Sequence, residues 1–177
     1  FEEKSILILD KDQKDKNDRT WSFWETGKGK WDHLISKSWN KGIVKAKGEN
    51  INLDLKAYHY KMLRSIDFYE FAKKTLKDAT IDWKYEEVEK IVQTNTGAIV
   101  TTVHKEYEAE YVFDSRIPSS YSLTDLNYLN VAQHFKGWII ETEEPIFDES
   151  RFTMMDYNLK DGETTSFTYI LPTSKTQ

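Results

Sequence analysis

The 177-residue chain contains no cysteine, only 7 glycines and only 3 prolines. The absence of cysteine excludes disulfides, thiolate zinc sites and a cysteine nucleophile. So few glycines and prolines exclude a collagen-like or low-complexity linker chain. No apolar run approaches the roughly 18 residues that a membrane-spanning helix needs. The sequence therefore predicts a chain that folds around its own hydrophobic core.

Positive charge is also limited, because 25 Lys and Arg stand against 30 Asp and Glu, and the sequence pI is about 5.5. The basic residues alternate with acids instead of forming a block, so no nucleic-acid partner is expected. Aromatic residues are abundant, with 9 Phe, 6 Trp and 10 Tyr. That content is too high for a disordered chain and predicts a substantial aromatic core.

The first strong pattern is the run of four aliphatic residues at 6–9 (ILIL), which Asp10 closes. An aliphatic run without alternation predicts an inner parallel strand that is buried on both faces. In dinucleotide-binding folds an acid at such a strand end accepts hydrogen bonds from the adenosine ribose, whereas the alternative is an ordinary polar strand end. Since an inner strand needs neighbours on both sides, the chain is expected to be an internal fragment of a longer protein.

The clearest helix is predicted over residues 65–79, where Asp67 and Glu70 form a capping-box pattern. Its apolar residues recur at helical spacing and are expected to face the core. Upstream, residues 20–24 (TWSFW) place three aromatic side chains within four positions.

The remaining patterns predict strands and turns. Strands are predicted at 42–47, 51–55, 58–60, 81–85, 88–93, 98–104, 107–113, 128–141, 151–158 and 165–171. The TNTG segment at 94–97 predicts a turn within an antiparallel meander, and the KDGE segment at 160–163 predicts a hairpin between the last two strands. The order of elements predicts an α+β fold with two sub-regions whose boundary lies near residues 116–124.

Two kinds of chemistry are not supported by motifs. The four histidines show neither HxxxH nor HExxH spacing, so no metal site is expected. No Gly-x-Ser-x-Gly segment marks a nucleophile elbow. Asp114 is of greater interest, because it follows a predicted strand where the chain leaves the meander; a plain polar strand end is its alternative interpretation.

Several segments together resemble one enzyme family. They are NDRTWSFW at 17–24, YKMLRSIDFY at 60–69, VFDSR at 112–116, QHFKGW at 133–138, FD at 147–148, MDY at 155–157 and FTYILP at 167–172. In this order and spacing they resemble the bacterial FAD-dependent lycopene cyclases, and the resemblance covers essentially the whole chain. The segments at 18–24 and 133–138 are the most specific.

The resemblance implies a partial Rossmann-type FAD-binding domain with an antiparallel meander, of the α/β or α+β class, interleaved with a β-rich substrate domain. The implied cofactor segments are 1–37 and 63–118, and the implied substrate segments are 38–62 and 119–177. The implied reaction converts the linear ends of lycopene to β-rings without net redox change. It requires reduced FAD, with NAD(P)H as the reductant.

The resemblance also implies roles for five residues toward FAD. Asp10 would bind the adenosine ribose, Arg64 would approach the dinucleotide, and Val88 would lie beside the adenine. Asp114 and Arg116 would lie where the chain leaves the cofactor domain.

The resemblance assigns no catalytic residue within the chain. The family's glycine fingerprint is expected before Phe1, and its main acid is expected after Gln177. The fragment by itself is therefore expected to be inactive.

The chemistry of cyclisation suggests further candidates. A carbocation must be shielded from water and is stabilised by aromatic faces, so Trp21, Phe23 and Trp24 are candidates for lining the substrate cavity; packing at the domain junction is their alternative role. A polyene substrate implies peripheral contact with the cytoplasmic membrane face. The alternative functions are a related FAD-dependent monooxygenase, a polyprenyl reductase, or a non-enzymatic β-rich binding module.

Overall fold

The structure, a computed structural model, describes residues 4–77, 81–118, 121, 129, 131, 133–159, 162 and 164–177. The strands in chain order are β1 (Ile6–Leu9), β2 (Thr20–Thr26), β3 (Ile35–Trp39), β4 (Gly42–Ala46), β5 (Glu49–Leu53), β6 (Tyr58–Arg64), β7 (Ile81–Lys84), β8 (Val88–Gln93), β9 (Ala98–Thr102), β10 (Glu106–Ala109), β11 (Phe152–Asp156) and β12 (Thr168–Ile170). The described helices are α1 (Ser65–Leu76) and a 3₁₀ turn at Asp32–Leu34. The chain divides into two compact units.

The first unit comprises residues 1–14 and 75–137 and contains two sheets. Strands β1 and β7 pair in parallel, and β8, β9 and β10 form an antiparallel meander. The meander and its turn are confirmed, because the Thr94 N–H donates to the Gly97 carbonyl at 2.9 Å. Glycine is required there, since a Cβ on Gly97 would collide with the Ala109 carbonyl oxygen of the neighbouring strand.

The second unit comprises residues 15–74 and 138–177 and also contains two sheets. One is antiparallel, in the order β2-β6-β3, and the other has the order β12-β11-β4-β5. The predicted antiparallel pairing of the last two strands is confirmed by β11 and β12, whereas β11 pairs in parallel with β4. That parallel pair joins strands 110 positions apart in the chain, as in the pair of Gly42 and Phe152, which no local pattern could predict.

The core of the second unit is aromatic. Its buried members are Trp39, Leu55, Tyr60, Met62 and Phe152. The Tyr60 and Phe152 rings stack with their centroids 4.5 Å apart, and burial raises the pKa of the Tyr60 phenol. A Cβ on Gly42 would lie 2.7 Å from the Phe152 ring, so β4 can approach that ring only with glycine at this position.

Helix α1 begins at Ser65 as predicted and ends at Leu76, three residues before the predicted end. Asp67 lies within its first turn, where its carboxylate binds Arg64, and it does not precede the helix as the capping-box prediction required. The predicted apolar stripe is partly buried. Phe68 and Phe71 contact the ring of Trp31 edge-on, with centroids 5.2 and 6.0 Å away.

The prediction of a Rossmann-type α/β fold is wrong. The described residues form mainly β-strands in four separate sheets, with a single α-helix. A doubly wound fold requires an extended parallel sheet covered by helices on both faces, whereas within the described ranges β1 pairs only with β7 and Ile6 is 36% exposed. The prediction that β1 is an inner strand placed its second neighbour before Phe1, and it stays a prediction. An aliphatic run indicates burial, but it does not state how many strands lie beside it.

The predicted strand at 128–141 is also not found in the structure. Residues 128, 130 and 132 lie outside the described part, and residues 133–141 contain no strand. Of the predicted turn at 160–163, only Gly162 is described, and its φ is +56°. The division into cofactor and substrate segments is a functional assignment and stays a prediction.

Over the described ranges, α1 is 12 residues long and carries several charges, and no helix is long and apolar enough to cross a bilayer.

Candidate functional site

Asp10 lies at the carboxyl end of β1. Its backbone N–H donates to the Lys84 carbonyl at 3.2 Å, which extends the β1–β7 pairing by one residue. One carboxylate oxygen accepts the Asp12 N–H at 2.9 Å, and the other lies 3.2 Å from the Lys14 Nζ. The side chain remains 38% exposed. The loop after β1 thus holds a carboxylate in place while leaving it accessible.

Three further predicted cofactor residues are in direct contact in the same unit. The Arg116 guanidinium donates through Nη1 to the Val88 carbonyl at 2.5 Å, and through Nε and Nη2 to the Asp114 carboxylate at 2.9 and 3.0 Å. These hydrogen bonds from Arg116 lower the pKa of Asp114, and the carboxylate in turn raises the pKa of Arg116. The segment at 114–116, which leaves the meander, is therefore hydrogen-bonded to Val88, the first residue of β8.

An ion pair connects the two sets of residues. The Lys11 Nζ lies 2.8 Å from the Glu87 Oε1. Lys11 follows Asp10 and Glu87 precedes Val88, so this pair joins the end of β1 to the start of β8. Four of the five predicted cofactor residues consequently belong to one connected group at one end of the first unit.

Arg64 is not part of that group, because it lies in the second unit, at the end of β6. Its Nε and Nη2 donate to the two Asp67 carboxylate oxygens at 2.7 and 2.8 Å. This two-point contact with Asp67 raises the pKa of Arg64. The guanidinium is thereby oriented by the first turn of α1.

The chemistry of these groups fits one end of a dinucleotide. An accessible carboxylate such as Asp10 is the acceptor that a ribose diol requires. The guanidinium groups of Arg64 and Arg116 are already engaged by Asp67 and Asp114. The connected group of Asp10, Val88, Asp114 and Arg116 therefore fits an adenosine moiety. We assign none of these four residues to the phosphates.

Gln177 is the position after which the main catalytic acid is expected. Its backbone carbonyl accepts the N–H groups of Thr173 and Ser174 at 3.0 and 3.3 Å, and its side-chain Nε2 donates to the Glu141 Oε1 at 3.0 Å. A glutamine amide has no acidic proton to donate at neutral pH, so Gln177 itself cannot replace that acid. None of these contacts tests where the acid lies, and its expected position after Gln177 stays a prediction.

The three candidates for lining a substrate cavity are divided between the two faces of β2. Residues 21 and 23 lie on one face and residue 24 on the other, because side chains alternate along a strand. Trp21 contacts Phe68 edge-on at 5.7 Å, on the side of α1. Trp24 packs instead on Tyr60 and Phe152, with centroids 4.7 and 5.8 Å away. Trp21 and Trp24 therefore cannot form one wall of a cavity.

Sequence reasoning missed a buried cation in the same sheet. The Lys61 side chain on β6 is 6% exposed, and its Nζ contacts the Glu25 Oε2 at 2.9 Å, the Gly27 carbonyl at 2.9 Å and the Asp32 Oδ1 at 2.5 Å. Asp32, and then Glu25, raise the pKa of Lys61, whereas Lys61 lowers the pKa of Asp32. No spacing in the sequence could reveal this cluster, because its members come from separate elements.

A second missed network explains the position of the segment at 17–24. The fully buried Ser65 hydroxyl donates to the Asp18 Oδ1 at 3.0 Å and accepts the Arg19 N–H at 3.0 Å. The Tyr69 hydroxyl donates to the same Asp18 oxygen. Burial, the largest single influence, would raise the pKa of Asp18, but the hydrogen bonds from Ser65, Tyr69 and a backbone N–H together with the charge of Arg19 lower the pKa. The segment is thus anchored to the first turn of α1.

A search of the described ranges for metal ligands finds no group of three or more His, Asp or Glu side chains that could hold a metal ion.

These observations define a β-rich protein with two units, in which one unit carries an accessible strand-end carboxylate and the other an aromatic sheet. Residues 3–177 match the family model described as lycopene cyclase protein. The chain therefore belongs to the lycopene cyclase family, and its function lies in carotenoid cyclisation, with a carotenoid as the substrate. No curated protein gives a significant match to the chain.

Proposed function

We propose that this protein takes part in converting the linear ends of lycopene to β-rings, as a lycopene β-cyclase of the isomerase class. The observation that carries this proposal is the family match over residues 3–177. The reaction needs no external oxidant, because a proton adds to a terminal alkene, the tertiary cation is attacked by a neighbouring alkene, and loss of a proton completes the ring.

The part of this chain in the reaction is to place an aromatic face beside the cation and to exclude water. Aromatic rings stabilise a desolvated cation by up to about 2 kcal/mol each, and water would otherwise trap the cation as an alcohol. Trp24 is 42% exposed and is backed by the stacked pair of Tyr60 and Phe152. Trp21 is 36% exposed on the other face. We propose that one of these two rings contacts the polyene.

We further propose that the protein uses FAD in its reduced form, with NAD(P)H as the reductant. Reduced flavin supplies negative charge that stabilises a nearby cation in a site of low dielectric. Asp10 would hold the ribose, and Val88, Asp114 and Arg116 would shape the same end of the unit. Support comes from the accessible Asp10 carboxylate and from its connection to the other three residues.

We propose peripheral contact with the cytoplasmic face of the membrane, because the substrate dissolves in the bilayer. Trp138, Ile139 and Ile140 are each more than half exposed and form a short apolar segment, which is typical of a membrane contact. Co-sedimentation with phospholipid vesicles should fall when Ile139 and Ile140 are both replaced by serine. Equal sedimentation of the two proteins would argue against contact through this segment.

Turnover of lycopene in deuterated water tests the reaction itself. Cyclisation should place solvent deuterium in β-ring products without stoichiometric consumption of reductant. Hydrogenated products with matching loss of NAD(P)H would favour a polyprenyl reductase, and oxygenated products would favour a monooxygenase.

Replacement of Asp10 by alanine should weaken FAD binding by roughly 1–3 kcal/mol, because a hydrogen bond to a charged group is lost. The flavin content of the purified full chain, together with a fluorescence titration, measures the change. Asp12→Ala is the matched control, because Asp12 lies in the same loop and contributes a different carboxylate. Unchanged FAD affinity in Asp10→Ala would remove Asp10 from the site.

A further inference from the structure

Tyr85 lies beside the accessible carboxylate of Asp10. Leu9 pairs with Lys84 in the parallel β1–β7 sheet, and the Asp10 N–H donates to the Lys84 carbonyl. Asp10 and Tyr85 are the residues that directly follow this last pair, so the two lie beside each other where β1 and β7 end.

The residue after Tyr85 is held by the meander. Glu86 accepts hydrogen bonds from the Thr102 Oγ1 at 2.7 Å and the Tyr107 hydroxyl at 2.8 Å, both in the meander. Hydrogen bonding from Thr102 is the largest cause of the lowered pKa of Glu86, and burial together with Glu86 raises the pKa of Tyr107 to about 12. Glu86 is therefore a firmly held carboxylate that is turned toward the meander.

The Tyr85 side chain is 47% exposed. Its backbone is fixed on both sides, by the β1–β7 pairing before it and by the Glu86 hydrogen bonds after it. An accessible aromatic ring on a rigid backbone, next to an accessible carboxylate, is the combination that recognises a nucleoside: the ring stacks on the base and the carboxylate binds the ribose.

We propose that Tyr85 is the stacking surface for the adenine ring of the bound dinucleotide, and that Glu86 positions it through Thr102 and Tyr107. This inference rests on the proposed function, because it requires that the chain binds FAD through Asp10. It adds a residue that contacts the base and a hydrogen-bonded cluster that holds the backbone next to that residue.

Fluorescence titrations of the full chain with FAD and with FMN test the proposal, because FMN lacks the adenosine moiety. Tyr85→Ala should raise the dissociation constant for FAD at least about fivefold, which is the usual loss when a stacking ring is removed. The same variant should bind FMN like the unmodified protein. Tyr85→Phe retains the ring and should stay within about twofold for FAD.

Tyr58→Ala is the matched control, because Tyr58 is a similarly exposed tyrosine in the second unit; it should leave the FAD affinity unchanged. If Tyr85→Ala does not fold, Tyr85→Leu keeps an apolar side chain, removes the aromatic face and carries the same expectation.

The outcomes separate this inference from the proposed function. Unchanged FAD affinity in Tyr85→Ala, together with weakened affinity in Asp10→Ala, would overturn the stacking role and leave the cofactor proposal standing. An equal loss for FAD and FMN would also overturn it, because the ring would then act only on the fold. Failure of the unmodified full-length protein to bind FAD would reject both proposals.

Discussion

Replacing Phe152 by alanine is expected to lower the free energy of unfolding by about 3–5 kcal/mol, because a large ring is removed from a well-packed core. Phe152 is completely buried and lies against the rings of Tyr60, Trp24 and Trp39, with centroid distances of 4.5, 5.8 and 5.9 Å. Glycine at position 42 allows β4 to approach the same ring closely. Few neighbouring atoms can move into the cavity that the substitution would leave, because the ring is held between two sheets.

Urea unfolding followed by tryptophan fluorescence measures this loss, since Trp24 and Trp39 both contact Phe152. Phe113→Ala is the matched control: the same atoms are removed from a side chain that is 87% exposed, so its effect should stay within about 0.5 kcal/mol. Similar losses in the two variants would show that Phe152 is not a core residue.

Replacing Lys61 by methionine is expected to lower the free energy of unfolding by about 2–4 kcal/mol, since removal of the buried ammonium group leaves its two carboxylate partners without compensation. The substitution keeps the length of the side chain and removes the ammonium group that contacts Glu25, Gly27 and Asp32. The partial exposure of Glu25 and Asp32 lets water solvate the carboxylates, which keeps the cost below that of a fully buried pair. Thermal or urea unfolding measures the change.

Lys11→Met is the matched control, because it breaks an ion pair of similar length whose two side chains are more than half exposed. Surface pairs contribute about 0–1 kcal/mol, so this variant should unfold almost like the unmodified protein. Equal stability of Lys61→Met and Lys11→Met would contradict the structural importance of the buried cluster.

The same cluster predicts a dependence on pH. Lys61 holds the folded-state pKa of Asp32 below its usual 3.8, so the stabilisation is present above that pH and is lost as the pH falls through the lowered value. Conversely, the folded-state pKa of Lys61 lies above its usual 10.5. The contribution of Lys61 to stability is therefore present below pH 10.5 and is lost as the pH rises through the raised pKa. At both extremes the unmodified protein should lose stability more steeply than Lys61→Met.

Local patterns predicted the elements that depend on neighbouring residues. The meander β8–β10 was predictable because its turn at 94–97 lies between short apolar strands, and α1 because its apolar residues recur at helical spacing. Strand β6 was predicted only over residues 58–60, although it continues to Arg64. The reason is Lys61, a charge that interrupts the apolar pattern and is tolerated only because Glu25 and Asp32 reach it from other elements.

In the candidate site, too, the residues could be predicted from the sequence, whereas their arrangement could not. Asp10, Asp114 and Arg116 were predicted from their places at strand ends and from the resemblance to a family, and their roles stay predictions. The structure shows that Arg116 contacts Asp114 and Val88, and that Lys11, next to Asp10, pairs with Glu87. The aromatic residues of β2 were predicted to line one cavity. Side chains alternate along a strand, so Trp21 and Trp24 lie on opposite faces of β2. The structure shows that Trp21 faces α1 and that Trp24 faces the core of the unit.

The sequence by itself determined the family, the antiparallel meander with its turn at 94–97 and the start of helix α1, because these depend on motif order and on contacts between near neighbours. Only the tertiary structure decided that the fold is mainly β, that β1 pairs with β7, that β4 pairs with β11, and that Lys61 is buried among carboxylates. These features arise from contacts between residues far apart in the chain, and the free energy of such contacts leaves no periodic signal in the sequence.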